Sequence, residues 1–251
     1  MNRTLTGKVP EDSVHDAPTR VPRHVVEGFK ALGDLSGTIA DVLDELGING
    51  AIAASTLRPT VVGARVVGVA VTVRNVAQRS QALANALKRE SRLAEIEGHN
   101  QAVTGDVLVI QGVAGVSNMG GISASIAHRQ GEAGAVVDGG IRDVAWQRSI
   151  AFPIWSSEIT PITGKWRAET VEVNGVVTIR GVTVRPGDLV AADDTGVCFV
   201  PADLAESVLS RCQEIAAGEA RRHEEIDAGV PVPDLAQRTY VYQYPGATEG
   251  S

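Results

Sequence analysis

The sequence predicts an α/β domain with a mixed central sheet and flanking helices. Residues 107–137 run strand, loop, helix, strand, which is the order of a βαβ unit. Between residues 171 and 200 the chain breaks into short Val-rich runs separated by Gly, Asn and Asp, as in turn-linked strands. Glycines number 27 and aromatic residues make up only 4%, so Val and Ala must supply most of the core. That composition suits short strands and tight turns better than a helical bundle.

The length of 251 residues is enough for one sizeable core with small appendages. We expect an N-terminal arm over residues 1–22, an α/β domain over 23–230 and an extended C-terminal tail over 231–251. The arm is polar and has no signal-peptide core, so it is expected to be loose or to dock on a neighbouring subunit. The tail contains Pro231, Pro233 and Pro245, which favour extended chain.

The charge and the cysteines bound the class of protein. A formal net charge of −7 argues against nucleic-acid binding, which usually needs a basic face. Cys198 and Cys212 lack CxxC spacing and are interpreted as reduced, partly buried thiols. The sequence contains no apolar run of the roughly twenty residues that a membrane span needs. These observations together predict a cytoplasmic protein.

Helical periodicity is clearest near the N-terminus. Residues 24–47 form two predicted helices with a break at 33–37, and the second has Ser36 or Thr38 as its cap and ends at Gly47. Two further helices are predicted, a charged one with a mostly solvated face and a long one opened by Pro201; they cover residues 80–96 and 202–228.

The strand predictions depend on Val-rich runs and turn residues. A long strand at 61–73 is expected to bend at its glycines. Asn174-Gly175 lies between two apolar runs and predicts the turn of a hairpin over residues 171–179. The other predicted strands lie before or after helices or turns, at residues 107–110, 135–137, 152–155 and 184–200.

Arg142 and Asp143 stand side by side just after an apolar strand. An arginine fork binds a carboxylate, and an aspartate holds a hard metal ion. Gly120 and Gly121 open a predicted helix, whose backbone N–H groups favour an anion. These residues together suggest a metal site for a small oxo-acid. The alternatives are a surface ion pair, an Asp143 that only caps the following helix, and glycines that only allow close packing.

Five motifs then carry a family resemblance. They are Gly-Asp-Val-Leu-Val-Ile at 105–110, Gly-Gly-x-x-Ala-x-x-Ala at 120–127, Gly-Ala-Val-Val-Asp-Gly-Gly-Ile-Arg-Asp at 134–143, Val-Arg-Pro-Gly-Asp-Leu-Val at 184–190 and Asp-Asp-Thr-Gly-Val-x-x-Val-Pro at 193–201. In this order they resemble the RraA-like family over residues 36–230. That family includes the 4-hydroxy-4-methyl-2-oxoglutarate / 4-carboxy-4-hydroxy-2-oxoadipate aldolases and the regulator of ribonuclease activity.

The resemblance implies an RraA-like, swivelling β/β/α-type single domain. It also implies a class II lyase that releases pyruvate from a 4-hydroxy-2-oxo acid or decarboxylates oxaloacetate. By the same resemblance Arg142 binds pyruvate and Asp143 binds Mg²⁺ or Mn²⁺. The substrate is expected to lie on the backbone at Gly120, Gly121 and Ile122.

The resemblance further implies a homotrimer or hexamer with the active site at the subunit interface. A glutamate from a neighbouring subunit's C-terminal helix would support the metal waters; Glu219 is the best match and Glu214 the alternative. The non-enzymatic alternative is a protein-binding regulator of an RNA-degrading enzyme. Aldolase members often have an acid where this chain has Gly121, which puts the family's usual substrate in question. Regulators tend to lose the aspartate that this chain retains as Asp143, which favours the enzyme.

Other candidates carry weaker signals. Asn118 is assigned to substrate binding from the loop before the helix, although simple turn chemistry explains it as well. Lys165 fits a solvated loop lysine better than a Schiff-base lysine. Asp138 is expected either to position Arg142 or only to close its turn. His128 has no partner at zinc-ligand spacing, so zinc is not expected. The proton of the substrate's 4-hydroxyl is expected to leave through an ordered water near the carboxylates, since arginine stays protonated.

Overall fold

A computed structural model describes residues 4–237, and within them the chain forms eight α-helices and twelve strands. The helices are α1 (Arg23–Lys30), α2 (Ser36–Glu45), α3 (Ala82–Lys88), α4 (Ile96–Gln101), α5 (Gly121–Gln130), α6 (Val144–Ser149), α7 (Ala205–Asp227) and α8 (Val232–Gln237). The strands are β1 (Ala51–Ala53), β2 (Arg58–Pro59), β3 (Val66–Ala77), β4 (Val107–Gln111), β5 (Ser117–Met119), β6 (Gly134–Ile141), β7 (Ile154–Ile159), β8 (Ala168–Val173), β9 (Val177–Ile179), β10 (Val182–Val184), β11 (Leu189–Ala192) and β12 (Gly196–Val200). None of these helices is long and apolar enough to cross a membrane.

The large sheet is mixed, as predicted. Its main path runs β1-β12-β11-β3-β4-β6-β7-β2, with β5 added beside β6 and β8 beside β3. The neighbours β3, β4, β6 and β7 are parallel, whereas β11, β12, β1, β8 and β2 join in antiparallel fashion. β3 is twelve residues long and belongs to both the antiparallel and the parallel part of the sheet. It pairs with β11 at one end and with β4 and β8 further along. A parallel centre with antiparallel flanks confirms the mixed α/β fold class.

Helices pack on the large sheet and thereby bury its parallel strands. In one apolar cluster α1, α2 and α7 pack on β3, β11 and β12 through buried residues such as Phe29 and Leu43. In a second, α5 packs on the central parallel strands. The small β9–β10 hairpin covers part of a third cluster around Trp155. Residues 107–110 of β4 and 134–137 of β6 are accordingly continuous apolar runs.

The predicted hairpin over residues 171–179 is wrong. β8 pairs with β3, and β9 pairs with β10 in the separate two-stranded sheet. Asn174 does turn the chain, with φ of 56°, but the turn passes the chain from one sheet to the other. The hairpin turn lies instead at Arg180-Gly181, where both residues have positive φ and the flanking strands pair in register.

The described part of the N-terminal arm is not loose. Val9 and Val21 are buried, and Arg20 makes a two-pronged ion pair with Asp106, whose shorter N–O distance is 2.7 Å. The arm thus docks on its own chain. The tail also differs from the prediction, because residues 232–237 form the short helix α8 rather than extended chain. The remaining tail, with Pro245, lies outside the described residues.

Three helix and strand predictions need correction. Ser36 does not cap α2 with its own side chain; its N–H and hydroxyl donate to Asp193, which holds the helix start from across the chain. The strand predicted from residue 61 begins at Val66. The stretch 80–96 is helical over α3, and the residues between Lys88 and Ile96, where α4 begins, are not helical.

Candidate active site

The site forms where the parallel strands β4 and β6 end. β4 leads into the loop that carries β5, and the chain then enters α5; β6 ends directly before Arg142. Because carboxyl ends of parallel neighbours lie at one edge of a sheet, the loop, the start of α5 and Arg142 meet there. The backbone N–H of Arg142 donates to the carbonyl of Met119 at 3.2 Å, which fixes the arginine beside the end of β5.

Arg142 and Asp143 converge as the sequence predicted. The Nε of Arg142 lies 3.5 Å from Oδ2 of Asp143, and their side chains are 32% and 47% exposed. The pair is therefore not sealed inside the protein. Gly120 lies against both side chains, since a Cβ at this residue would be 3.0 Å from Oδ2 of Asp143 and 3.2 Å from Nε of Arg142. Any larger residue at 120 would displace one member of the pair.

Asp143 does not cap the helix that follows it. It occupies the N-cap position of α6 in the left-handed region, with φ of 61° and ψ of 36°, and its side chain makes no cap hydrogen bond. Its Oδ2 instead accepts the N–H of Gly121 at the start of α5, at 2.9 Å. A non-glycine residue in this backbone region is uncommon and is often found at functional sites. The alternative that Asp143 only caps α6 is thereby excluded. The backbone N–H of Gly121, which the resemblance assigned to substrate binding, instead donates to Asp143.

Gly121, where aldolase members often have an acid, has little room for a side chain. A Cβ on this residue would lie 3.2 Å from Cβ of Asp143 and 3.2 Å from Cδ1 of Trp146. Both distances are tighter than ordinary contact, so an acid at 121 would require Asp143 or Trp146 to shift. Trp146 is itself held by a hydrogen bond from its Nε1 to Ser125 at 2.8 Å. Asp143 and Trp146 thus pack closely against Gly121, and they leave little space for an acidic side chain at this residue.

A cavity of about 110 Å³ opens beside Arg142. Its volume suits a molecule of a few heavy atoms, well below a drug-sized site. Basic, acidic and small polar side chains line it together with backbone. The lining residues are Ser91, Leu93, Glu95, Ser117, Asn118, Met119, Gly120, Arg142, Thr163 and Lys165.

Glu95 is the acidic residue of this lining, and it was not among the site residues predicted from the sequence. It precedes α4 and lies deep among protein atoms, although the cavity leaves part of its surface accessible. Burial raises the pKa of Glu95 above its usual value, against the opposing influences of His99, Ser123 and Lys165. A carboxyl group in a cleft with a raised pKa is typical of acid–base sites. The available signal was the helical i, i+4 spacing of Glu95 and His99, but Glu95 belongs to the stretch 80–96 that was interpreted as mostly solvated.

Lys165 also lines the cavity, at its exposed side. The interpretation of Lys165 as a solvated loop lysine agrees with its exposure, but it did not predict that Lys165 lines the cavity. Arg167, two residues on, is exposed and donates to the carbonyl of Thr163. His128 is exposed on α5. A single arginine and a single lysine thus bring positive charge to the cavity.

Asn118 lines the cavity but uses its amide inside the protein. It is fully buried; its Oδ1 accepts the N–H of Val113 at 2.8 Å, and its Nδ2 donates to the carbonyls of Val113 and Val116. These bonds hold the loop that forms the cavity wall, as the turn alternative expected. Asp138 does not position Arg142; it accepts the backbone N–H of Arg180 at 3.0 Å and pairs with that side chain.

The glutamates assigned to α7 do not line the cavity of their own chain. Glu214 pairs with Arg211 at 2.9 Å on the helix surface. Glu219 is half-buried further along α7. Its assignment to a neighbouring subunit's site stays a prediction.

The acidic groups near the cavity decide what kind of metal ion the site suits. Among residues 4–237 no three or more His, Cys, Asp or Glu side chains gather as a metal cage. The half-exposed carboxylate of Asp143 is a hard oxygen donor beside the cavity mouth. Mg²⁺ keeps several waters and is commonly bound through one or two carboxylates plus oxygens of the ligand. The single carboxylate of Asp143 therefore fits an ion of this type.

The fold and the site define a class of protein: an α/β protein in which an arginine and a helix N-terminus line a small polar cavity, with an aspartate beside the arginine. A family model described as "RraA-like: Aldolase/RraA" matches residues 36–199. The chain therefore belongs to the Aldolase/RraA family, and the resemblance seen in the motifs is confirmed.

Individual relatives agree with this family. "Putative 4-hydroxy-4-methyl-2-oxoglutarate aldolase" of Halalkalibacterium halodurans is 30% identical over 205 residues, which cover 81% of this chain and 88% of that protein. Protein DlpA of Legionella pneumophila subsp. pneumophila is 29% identical over 218 residues, which cover 84% of this chain but only 33% of DlpA. The crystal structure of Streptomyces coelicolor RraAS2, titled an unusual member of the RNase ES inhibitor RraA protein family, has a TM-score of 0.66 and 29% identity, with 84% of this chain and 98% of that chain covered.

Proposed function

We propose that this chain is a cytoplasmic, divalent-metal-dependent lyase that releases pyruvate from a small 2-oxo acid. Its substrates would be a 4-hydroxy-2-oxo acid, which it cleaves as an aldolase, and oxaloacetate, which it decarboxylates. The observation that carries the proposal is the convergence of Arg142 and Asp143 beside a polar cavity. The relative named as an aldolase supports the same chemistry.

Binding follows from the charges. The carboxylate of a 2-oxo acid would pair with the guanidinium of Arg142, and a second carboxylate would find Lys165 at the exposed side. The cavity of about 110 Å³ has room for a pyruvate-sized fragment. Cleavage next to the keto group leaves an enolate, whose developing negative charge Arg142 is placed to stabilise. A Mg²⁺ or Mn²⁺ ion held by Asp143 would add Lewis-acid stabilisation of that charge.

Assembly as a homotrimer or hexamer belongs to the proposal. Ile122 and Trp146 flank Gly121 in the sequence or in space, and they are 79% and 53% exposed. Large apolar side chains beside a site fit a subunit interface. Such an interface would let Glu219 of one subunit reach the Asp143 of another.

The second candidate is a protein-binding regulator of an RNA-degrading enzyme. It is favoured by the similarity to Streptomyces coelicolor RraAS2. A regulator of this kind needs a docking surface and no chemistry at Arg142 and Asp143. The two functions therefore differ in what a change at this pair should do.

The test is a pyruvate-release assay on oxaloacetate and a 4-hydroxy-2-oxo acid, with Mg²⁺ or Mn²⁺ and with a chelator. Turnover that the chelator abolishes, and that Asp143→Asn lowers strongly, supports the lyase. Arg180→Lys is a matched control, because Arg180 pairs with Asp138 away from the cavity. Turnover unchanged in Asp143→Asn, or absent in the wild-type protein, contradicts the proposal.

A further inference from the structure

A chain of polar side chains runs from the cavity into the core. It begins at Glu95 in the cavity wall, which lies close enough to Ser123 for the serine side chain to lower the pKa of the Glu95 carboxyl. Ser123 contacts Nε2 of His99 at 2.8 Å, and Nδ1 of His99 contacts Oε1 of Glu132 at 2.8 Å. The side chains of His99 and Glu132 are 0% exposed, and Ser123 is buried. Four polar groups from three segments thus form one line that ends at the cavity.

Burying these polar groups costs free energy. Apolar residues of similar size would fill the same space without burying a carboxylate and an imidazole. Within the described residues Oε2 of Glu132 is buried without a hydrogen-bond partner, which is an additional cost. Ser123, His99 and Glu132 each contact the next, and Ser123 and His99 both act on the pKa of Glu95, so the line leads to Glu95 at the cavity.

The arrangement can accept either protonation state of Glu95. The carboxylate of Glu132 favours a hydrogen on Nδ1 of His99. With that hydrogen on Nδ1, Nε2 of His99 is bare. When Glu95 is protonated, its O–H donates to Ser123, whose hydroxyl donates to Nε2. When Glu95 is ionised, the Ser123 hydroxyl turns and donates to the carboxylate. Because a serine hydroxyl can donate or accept, Ser123 can keep a hydrogen bond to Glu95 in both protonation states.

We propose that Glu95 is the catalytic acid–base residue of the lyase, and that Ser123, His99 and Glu132 are positioning residues that hold it ready in both protonation states. This inference rests on the proposed function, because Glu95 must face a 2-oxo acid bound at Arg142. It replaces the ordered water that the sequence suggested as the proton's exit.

The proton balance is complete with this residue alone. In aldol cleavage the proton of the 4-hydroxyl moves to the Glu95 carboxylate as the C3–C4 bond breaks. The electrons of that bond enter the enolate of pyruvate, and the second product leaves as a carbonyl compound. Glu95 then returns the same proton to C3, which completes pyruvate and restores the carboxylate. Decarboxylation of oxaloacetate breaks the C3–C4 bond and releases CO₂ without a base, and the enolate can take its C3 proton from water, so this reaction does not need Glu95.

Several polar and charged groups surround Glu95 and affect its pKa. His99 follows one turn later on α4, Ser123 comes from α5, and Lys165 and Arg142 lie on other sides of the cavity. Burial raises the pKa of Glu95, whereas Ser123 and His99 act to lower it. Removing the Ser123 hydroxyl therefore removes a stabilising contact from the carboxylate, and the pKa should rise further.

The experiment compares two reactions of the metal-loaded protein. One is exchange of the methyl hydrogens of pyruvate in D₂O, which needs a base at C3; the other is oxaloacetate decarboxylation, which does not. Glu95→Gln should slow exchange by about 100-fold or more while decarboxylation falls by less than about 10-fold. Glu97→Gln is the matched control: Glu97 lies two residues further on, in the first turn of α4, and is buried. It accepts hydrogen bonds from Thr6, Asn100 and Gln101 and does not line the cavity, so this change should leave both rates unchanged.

A pH profile of exchange tests the positioning residues. The rate rises with pH as Glu95 loses its proton, and Ser123→Ala should move the midpoint to higher pH. A purely structural role would lower the rate without moving the midpoint.

The outcomes separate the two proposals. If Glu95→Gln loses both reactions equally, or keeps full exchange, the acid–base assignment is overturned while the lyase stands. If Arg142→Ala keeps both reactions, or wild type shows neither, the proposed function itself fails.

Discussion

Replacing Arg142 by lysine isolates what the guanidinium contributes beyond its charge. The side chain lines the cavity with its Nε 3.5 Å from Asp143, and a guanidinium can clamp a carboxylate through two parallel N–H groups. Lysine keeps the positive charge but offers a point contact, so about one charge-assisted hydrogen bond is lost. Such a bond contributes about 1.5–3 kcal/mol.

That loss converts into a measurable rate. Since about 1.4 kcal/mol corresponds to a factor of ten, Arg142→Lys should lower kcat/KM for pyruvate release by roughly 10- to 100-fold. Arg142→Ala removes both bonds and the charge, so its loss should be greater on both substrates. Steady-state kinetics on oxaloacetate and on a 4-hydroxy-2-oxo acid, alongside the Arg180→Lys control, make the measurement. A lysine variant within about twofold of wild type would show that no bidentate clamp operates here.

Two further predictions concern assembly and pH. Glu219→Gln and Arg142→Ala proteins should each be impaired alone, but mixing them after mild dissociation should restore part of the activity, since hybrid oligomers regain some intact sites; no recovery in confirmed hybrids would contradict a shared site. Hydrogen bonding from His15, with a further contribution from Arg74, lowers the pKa of Glu172 below 4.5, so the stability that it adds is present above that pH and lost as pH falls through the lowered pKa. Glu172→Gln should therefore reduce the unfolding free energy by about 1 kcal/mol at pH 7 and by less near pH 3, measured by urea unfolding; an equal loss at both pH values would refute the ionic origin.

The local part of the site was readable from sequence. Arg142 and Asp143 are neighbours in the chain and follow an apolar strand, so their convergence needed only the strand to end where it does. Gly120 was readable too, because a helix start leaves exposed N–H groups whatever surrounds it. The direction of the Asp143 side chain was not, since it depends on α5 lying beside α6.

Sequence alone determined the βαβ core, the alternation of short strands, the Arg142–Asp143 pair and the family. Each of these depends on residues close together in the chain or on ordered motifs. The tertiary structure alone decided that β8 joins β3 instead of β9, that the N-terminal arm lies on its own domain, and that Glu95 faces the cavity. These features join distant segments, and their free energy comes from burial and pairing across the fold, so a pattern within one segment does not encode them. A charged helix segment looks solvated in sequence, and only packing shows that one of its acids lines a cavity and connects to the core.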